Sequence, residues 1–413
     1  MLSRRDFLAG LATAFGVLVA ACTPGGSGTS SPRGSDAPTG TPGLSLTPSP
    51  VPTDLPSPDS TESSLAALRR TIGRMLIVGF RGTRLAPTES VMQAIGAGEL
   101  GGVILFDRDQ LTGTAGRNIT DPAHLAALTS QLRAASLQGP VGAQFLIAID
   151  QEGGRVARLN PDNGYPASSS AADLGARNDL GYTTDAAILT GVTLAGAGID
   201  FNLAPVVDLN LNPTNSAIGA LGRSYSADPA VVLAQATAVI EAEEGAGIRT
   251  AIKHFPGEGS GTGNTDRGIV DVTNTWTDIE LRPFQELIAA GLPSAVMVGH
   301  IINGRYDPDR PASLSRPTVT GLLRGQLGWE GVVISDDLQA AAITQAFGAG
   351  EAVALALEAG VDLLLFANQQ VYDADIVGHV IDMVVGFVAS GRISEDRLNE
   401  SVARIEGLFN PVE

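Results

Sequence analysis

The sequence predicts an α/β fold, a single (βα)8 barrel of the TIM type, on three observations. From about Leu65 to the end, short β-branched runs alternate with amphipathic helical stretches, the pattern of βα units around a parallel sheet. Eight such runs occur in that stretch, and no second domain is apparent. Polar residues gather where the runs end, and the C-terminal strand ends are where a barrel carries its site.

Taken in order, the candidate strands are 75–80, 102–106, 145–150, 200–203, 250–254, 295–299, 332–335 and 362–366. The helices between them announce their starts. Asp121-Pro122 and Asp228-Pro229 each place an acid at the N-cap before a proline at the first helical position. Thr277 with Glu280 fits a capping box. The alanine-rich stretch 351–359 reads as a helix against the barrel wall. The strand ends carry Asp150, Lys253-His254, His300 and Asp336-Asp337. A lone strand-end aspartate is often only the cap of the next helix. Four such positions on one face describe a pocket of carboxylates and cations.

The chain is 413 residues long, 44% hydrophobic and 17% charged, with a formal net charge of −18. That charge argues against a nucleic-acid partner, whose phosphates it would repel. One cysteine rules out an intramolecular disulfide framework and any multi-cysteine metal site, and four histidines leave little for a histidine-rich one. No cofactor and no metal are expected. A metal-dependent hydrolase built on Asp336, Asp337 and His300 would need further ligands, and none stands at suitable spacing.

Residues 1–21 read as an export address. Ser3-Arg4-Arg5-Asp6-Phe7-Leu8 has the form of a twin-arginine signal, and the apolar run to Ala21 is too short to remain as a membrane span. Val19-Ala20-Ala21-Cys22 resembles a bacterial lipobox, with cleavage before Cys22 and lipidation of that residue. Residues 22–64 are mostly Ser, Thr, Pro and Gly, a composition that buries too little apolar surface to fold. The expected organisation is therefore a signal (1–21), a lipidated tether (22–64) and one catalytic barrel (65–413). Such a protein would be membrane-anchored, extracytoplasmic and directed at the cell wall.

Three motifs make a family resemblance specific. Ile149-Asp150-Gln151-Glu152-Gly153-Gly154-Arg155-Val156-Ala157-Arg158, Lys253-His254-Phe255-Pro256-Gly257 and Ser335-Asp336-Asp337-Leu338 occur in that order. Between them lie Ala204-Pro205-Val206-Val207-Asp208, Gly222-Arg223-Ser224-Tyr225 and Pro311-Ala312-Ser313-Leu314-Ser315. As a set they resemble glycoside hydrolase family 3, in its single-domain β-N-acetylglucosaminidase branch. The resemblance implies that Asp336 is the nucleophile of a retaining mechanism. It implies that Asp150, Arg158, Arg223, Lys253 and His254 hold the sugar, with His300 supporting the pocket. Glu152 and Arg155 read equally as a structural pair bracing their loop. Gly153-Gly154 has no following GxxxxGK, so it is not a phosphate loop, and would instead let backbone approach the sugar.

One departure stands out. Similar glucosaminidases carry, beyond KHFPG, a second His and then an Asp-x-His pair whose His is the acid/base. Here Glu258 replaces the second His, Asn264 stands at the Asp position and Asp266 at the catalytic His position. Either Asp266 serves as a carboxylic acid/base, with Glu258 a second candidate, or the protein binds cell-wall glycan without turning it over. Four glycines within 257–263 predict a mobile loop able to swing either carboxylate inward. The leading substrate is terminal β-linked N-acetylglucosamine on cell-wall glycan fragments.

Overall fold

A computed structural model describes residues 58–409. The expected signal peptide, Cys22 and most of the tether lie outside the described residues. The helix Pro58–Gly73 starts inside the stretch expected to be tether. Ile72, in its last turn, is buried against the core, and Pro58 suits a first helical position.

All eight expected runs form strands: β1 (Leu76–Gly79), β2 (Gly102–Ile104), β3 (Leu146–Ile149), β4 (Phe201–Asn202), β5 (Arg249–Phe255), β6 (Ala295–Val298), β7 (Val332–Ser335) and β8 (Leu364–Phe366). They pair in parallel in the order β7-β6-β5-β4-β3-β2-β1-β8. A bridge between Ile334 and Leu363 joins the two ends, so the sheet closes into a barrel. Five strands stop one or two residues short of their expected ends, leaving out Phe80, Leu105-Phe106, Asp150, Leu203 and Gly299, while β5 runs one residue further, to Phe255. β4 is the shortest, and the nearby Pro205 has no N–H to donate. Leu, Ile, Val and Phe fill the strands almost without alternation, as expected where both faces are covered.

Asp121 accepts hydrogen bonds from the backbone N–H groups of Ala123 and His124, and Asp228 accepts one from Ala230, so both predicted caps form. The predicted capping box at Thr277 does not. Thr277 precedes a short 3-10 turn and makes no capping bond, because Glu280 turns into the core and accepts from Ser260 N–H at 3.2 Å. The helix Ala349–Ala359 buries every alanine from Ala352 onward, with Val353, Leu355 and Leu357, as predicted. Between β6 and β7 the chain forms a π-helix, Pro317–Gln326, in place of an ordinary α-helix.

The lower end of the barrel is tied by one buried carboxylate. Asp362 accepts from Arg324 at 2.6 Å, Arg404 at 3.1 Å and Ser401 at 2.7 Å, joining the final helix, Glu395–Gly407, to the strand ends. Among the described residues, no helix is long and apolar enough to cross a membrane.

Candidate active site

The upper, C-terminal ends of the strands enclose a cavity of about 260 Å³. Its wall takes Ile104 from β2 and Phe106 just beyond it, Asp150 and Glu152 from the segment after β3, Lys253 and His254 from β5, and Asp336 and Asp337 from the segment after β7. Another cavity of similar volume runs beside residues 166–169, but Asp185 is its one acidic residue and it holds no cation. Chemistry therefore selects the first.

Asp336 sits at the floor because β7 runs one bond further than its strand: Asp336 N–H donates to the Val298 carbonyl of β6 at 3.0 Å. Its Oδ1 accepts from Asp337 N–H at 2.8 Å. Burial works to raise the Asp336 pKa. The electrostatic pull of His300, His254 and Lys253, with the Asp337 N–H, outweighs it and holds the carboxyl below the ordinary range. Asp337 behaves in the opposite way. Burial pushes it up to about 7, although Ala367 and Gln339 N–H groups bond its carboxylate.

The predicted sugar-binding residues form one connected network. Lys253 Nζ lies 2.7 Å from Asp150 Oδ1 and 2.7 Å from Glu152 Oε1. Arg158 Nη2 reaches Asp150 Oδ2 at 3.4 Å, and its guanidinium lies 5.3 Å from the Phe106 ring centre. Arg158 Nε is buried with no hydrogen-bond partner among the described residues, an unspent donor beside the cavity. Arg223 grips Glu152 through two hydrogen bonds. The expected Glu152–Arg155 pair is thus replaced: Glu152 turns inward to Arg223 and Lys253, while Arg155 is exposed. Both carboxylates stay ionised. For each, burial opposes the charge, and the neighbouring cations overcome it, Lys253 and Arg158 at Asp150, Arg223 and Lys253 at Glu152.

His254 connects this network to Asp208 and Glu258. Its Nδ1 lies 2.7 Å from Asp208 Oδ2 and 3.6 Å from Glu258 Oε1. On the other side Arg223 Nη2 is 3.3 Å from Nε2. An arginine can only donate, so Nε2 must present a lone pair and Nδ1 must carry the hydrogen. A proton added to this buried pair therefore belongs on Glu258, whose pKa burial pushes up to about 7. The same argument bears on metals. Asp208, His254 and Glu258 have ligand atoms within 4.8 Å of one another. A cation on Nδ1 would force a hydrogen onto Nε2 against Arg223, so this donor set does not fit one.

His300 is a fully bonded buried histidine. Nε2 donates to the Asp337 carbonyl at 2.8 Å, which leaves Nδ1 to accept from the Ser313 hydroxyl at 2.7 Å. It braces the strand end beneath Asp336 rather than lining the cavity.

Two glycine expectations need correction. A Cβ on Gly153 or Gly154 would stand 2.0 Å from the Ser169 carbonyl oxygen or 2.5 Å from Ser170 Cβ. These glycines admit the 168–170 segment, not a sugar. In the loop after β5, a Cβ on Gly259 would lie 1.7 Å from the Leu209 carbonyl oxygen, and one on Gly257 2.8 Å from Glu280 Cβ. Close packing, not freedom to swing, explains those two, and residues 257–261 are buried. Glu258 is accordingly fixed in the wall beside His254. Asp266 sits further along, at the exposed lip of the cavity, where its backbone N–H bonds the Asn264 side chain at 2.8 Å. The protein packed beneath it and the negative charge of Asp336 raise its pKa, against the fields of Arg223, His300 and His254.

Phe106 and Gln370 in the wall, and Asp208 buried behind His254, were not singled out from sequence as site residues in their own right. Asp208 ends the Ala204-Pro205-Val206-Val207-Asp208 motif, so its signal was present but carried no role. Phe106 and Gln370 had no signal, since an aromatic at a strand end and a loop glutamine are common.

Residues 67–408 match the glycosyl hydrolase family 3 N terminal domain. The chain belongs to glycoside hydrolase family 3. A β-hexosaminidase of Mycobacterium tuberculosis, LpqI, is 32% identical over 402 residues, 95% of each chain. Beta-hexosaminidase A of Pseudoalteromonas piscicida is 33% identical over 329 residues, which are 75% of this chain and 53% of that one. Among solved structures, a family 3 β-N-acetylglucosaminidase from Paenibacillus superposes with a TM-score of 0.75 at 34% identity, over 83% of this chain and 62% of that one. The β-N-acetylhexosaminidase of Beutenbergia cavernae gives 0.72 at 32% identity, over 82% and 97%. The chain thus spans about half to two thirds of some relatives and nearly all of others. Its family 3 barrel is the one the resemblance implied.

Proposed function

We propose that this chain is a retaining glycosidase that removes terminal β-linked N-acetylglucosamine from glycan fragments, with Asp336 as nucleophile and Asp266 as acid/base. The observation that carries the reading is the divergence of two carboxyls on one cavity: Asp336 is held ionised while Asp266 is pushed toward its protonated form. The hexosaminidase names of the relatives support the choice of sugar.

In the first step an Asp336 oxygen bonds the anomeric carbon as the glycosidic C–O bond breaks, and Asp266 gives its proton to the departing oxygen. In the second, Asp266, now a carboxylate, takes a proton from water as that water attacks the same carbon and Asp336 leaves. Atoms and charge balance without a cofactor. Asp150, Lys253 and Arg158, with its free Nε–H, are suited to bind the sugar hydroxyls. A sugar lacking a hydroxyl would strand these charged groups, which favours discrimination. Glu258, bonded into the wall with Asp208 and His254, serves the pocket rather than the proton transfer.

The export address and Cys22 support an anchored enzyme working outside the cytoplasm on cell-wall glycan. The test is hydrolysis of an aryl β-N-acetylglucosaminide by the full chain, beside Asp336→Ala and Asp266→Ala. Turnover lost in Asp336→Ala, and slowed in Asp266→Ala but restored by azide, supports the assignment. Glycan binding without turnover by the wild type would replace it with a binding protein.

A further inference from the structure

The loop that carries Asp266 leaves the barrel after β5 and is fastened to the segments beyond β7 and β8. Ala342 N–H, past β7, donates to the Thr265 carbonyl at 3.1 Å. Gln370 Nε2, past β8, donates to Asp266 Oδ1 at 3.1 Å. Both Gln370 and Asp266 line the cavity. The preceding Gln369 is committed elsewhere: its Oε1 accepts from Gln110 N–H at 2.9 Å and Arg117 Nη1 at 3.1 Å, and its Nε2 donates to the Arg108 carbonyl at 2.9 Å. That network anchors the β8 loop and holds Gln370 at the lip.

We propose that Gln370 is the positioning residue for the Asp266 carboxyl, occupying Oδ1 so that Oδ2 carries the proton delivered to the leaving group. The inference rests on Asp266 being the acid/base. A protonated acid accepts far more strongly at its carbonyl oxygen than at its hydroxyl, so the oxygen that the Gln370 N–H bonds is the carbonyl one. The proton then has one address. Without the amide the carboxyl can rotate, and its two oxygens exchange roles at the moment when orientation decides the rate. Similar glucosaminidases place an Asp beside the catalytic His within one loop. Here Asn264 instead turns the Asp266 backbone, and the side-chain partner comes from across the barrel mouth.

The experiment compares the full-length wild type with Gln370→Ala, Gln370→Glu and Asp266→Ala on two substrates. One is a 2,4-dinitrophenyl β-N-acetylglucosaminide, whose leaving group needs no proton, and the other is a β-linked N-acetylglucosamine disaccharide. Gln370→Ala should lower kcat/KM on the disaccharide about tenfold, the upper end for one neutral hydrogen bond, and on the aryl substrate less than about twofold. The groups acting on Asp266 include Asp336, Arg223, His300 and His254, and Asp337 on the same cavity also interacts with it. The carboxylate introduced by Gln370→Glu would add to the repulsion from Asp336, so the alkaline limb of kcat/KM should move to higher pH in that variant. Equal losses on both substrates, or no loss on either, would overturn the proposal, as would an unmoved limb. Asp266→Ala separates the two claims. If it too loses activity equally on both substrates, the acid/base assignment falls. If it discriminates and Gln370→Ala does not, only the role of Gln370 falls.

Discussion

Arg223 clamps Glu152 through parallel hydrogen bonds, Nε to Oε2 at 2.7 Å and Nη2 to Oε1 at 2.8 Å. The Glu152 side chain is only 3% exposed and also faces Lys253, so one carboxylate compensates two buried cations. Glu152→Ala should therefore destabilise the fold by about 3–5 kcal/mol, the usual cost of stranding a buried charge. Urea unfolding of the two proteins would show it as a lower midpoint at unchanged slope.

Activity should follow a bell in pH. The acid limb reports Asp336, which must be ionised to attack, and it should lie below the ordinary carboxylate range because His300, His254 and Lys253 more than offset its burial. The alkaline limb reports the proton of Asp266, and it should lie above that range because the protein packed beneath it and the charge of Asp336 raise its pKa. A kcat/KM profile on the disaccharide tests both. A profile whose activity persists with Asp266 ionised would contradict the assignment.

Glu243 offers a stability test outside the cavity lining. It is buried behind β4 with Asn202 Nδ2 at 2.9 Å, and burial pushes its pKa up to about 8 from an ordinary 4.5. Between those two values the folded state holds a proton that the unfolded state has released, so stability falls as pH rises through the window. Glu243→Gln keeps the shape and abolishes the ionisation. The variant should gain a few degrees in Tm over wild type near pH 8 and no such advantage near pH 4. Thermal unfolding at both pH values decides it.

Gly259→Ala should damage the loop that leads to Asp266. The new methyl would meet the Leu209 carbonyl oxygen at 1.7 Å, and backbone cannot yield as a side-chain tip can. A loss of about 1–3 kcal/mol is expected, the range for overpacking, with a larger relative loss of activity than of stability. Gly268→Ala, with nothing near its added Cβ, is the control.

The barrel was legible because eight apolar runs and two proline-marked caps each fix structure locally. The Thr277 box was not, since Glu280 is recruited by Ser260, a residue on another loop. The same distinction divides the site. Asp150, Lys253 and Asp336 announce themselves as charges at strand ends, whereas Gln370 gains meaning only when β8 places it against Asp266. The partner of Glu152 was misjudged for that reason: Arg155 is near in sequence, and Arg223 is near in space. The loop glycines misled in the opposite direction, because a sequence cannot distinguish a glycine needed for motion from one needed for contact.

The joint between Ile334 and Leu363, with β1 registered on β8, has a consequence for how the protein is made. Strand β1, once synthesised, waits for β8 before that edge of it is covered. Asp150 and Lys253 will have been synthesised long before the segment that bears Gln370. A nascent chain interrupted after β7 would present every charged group assigned to the sugar, yet keep an open seam and an unfastened acid. Such contacts between the ends of a chain are slow to form. Enzymatic competence should thus arrive late and abruptly during biosynthesis, with the final stretch of polypeptide.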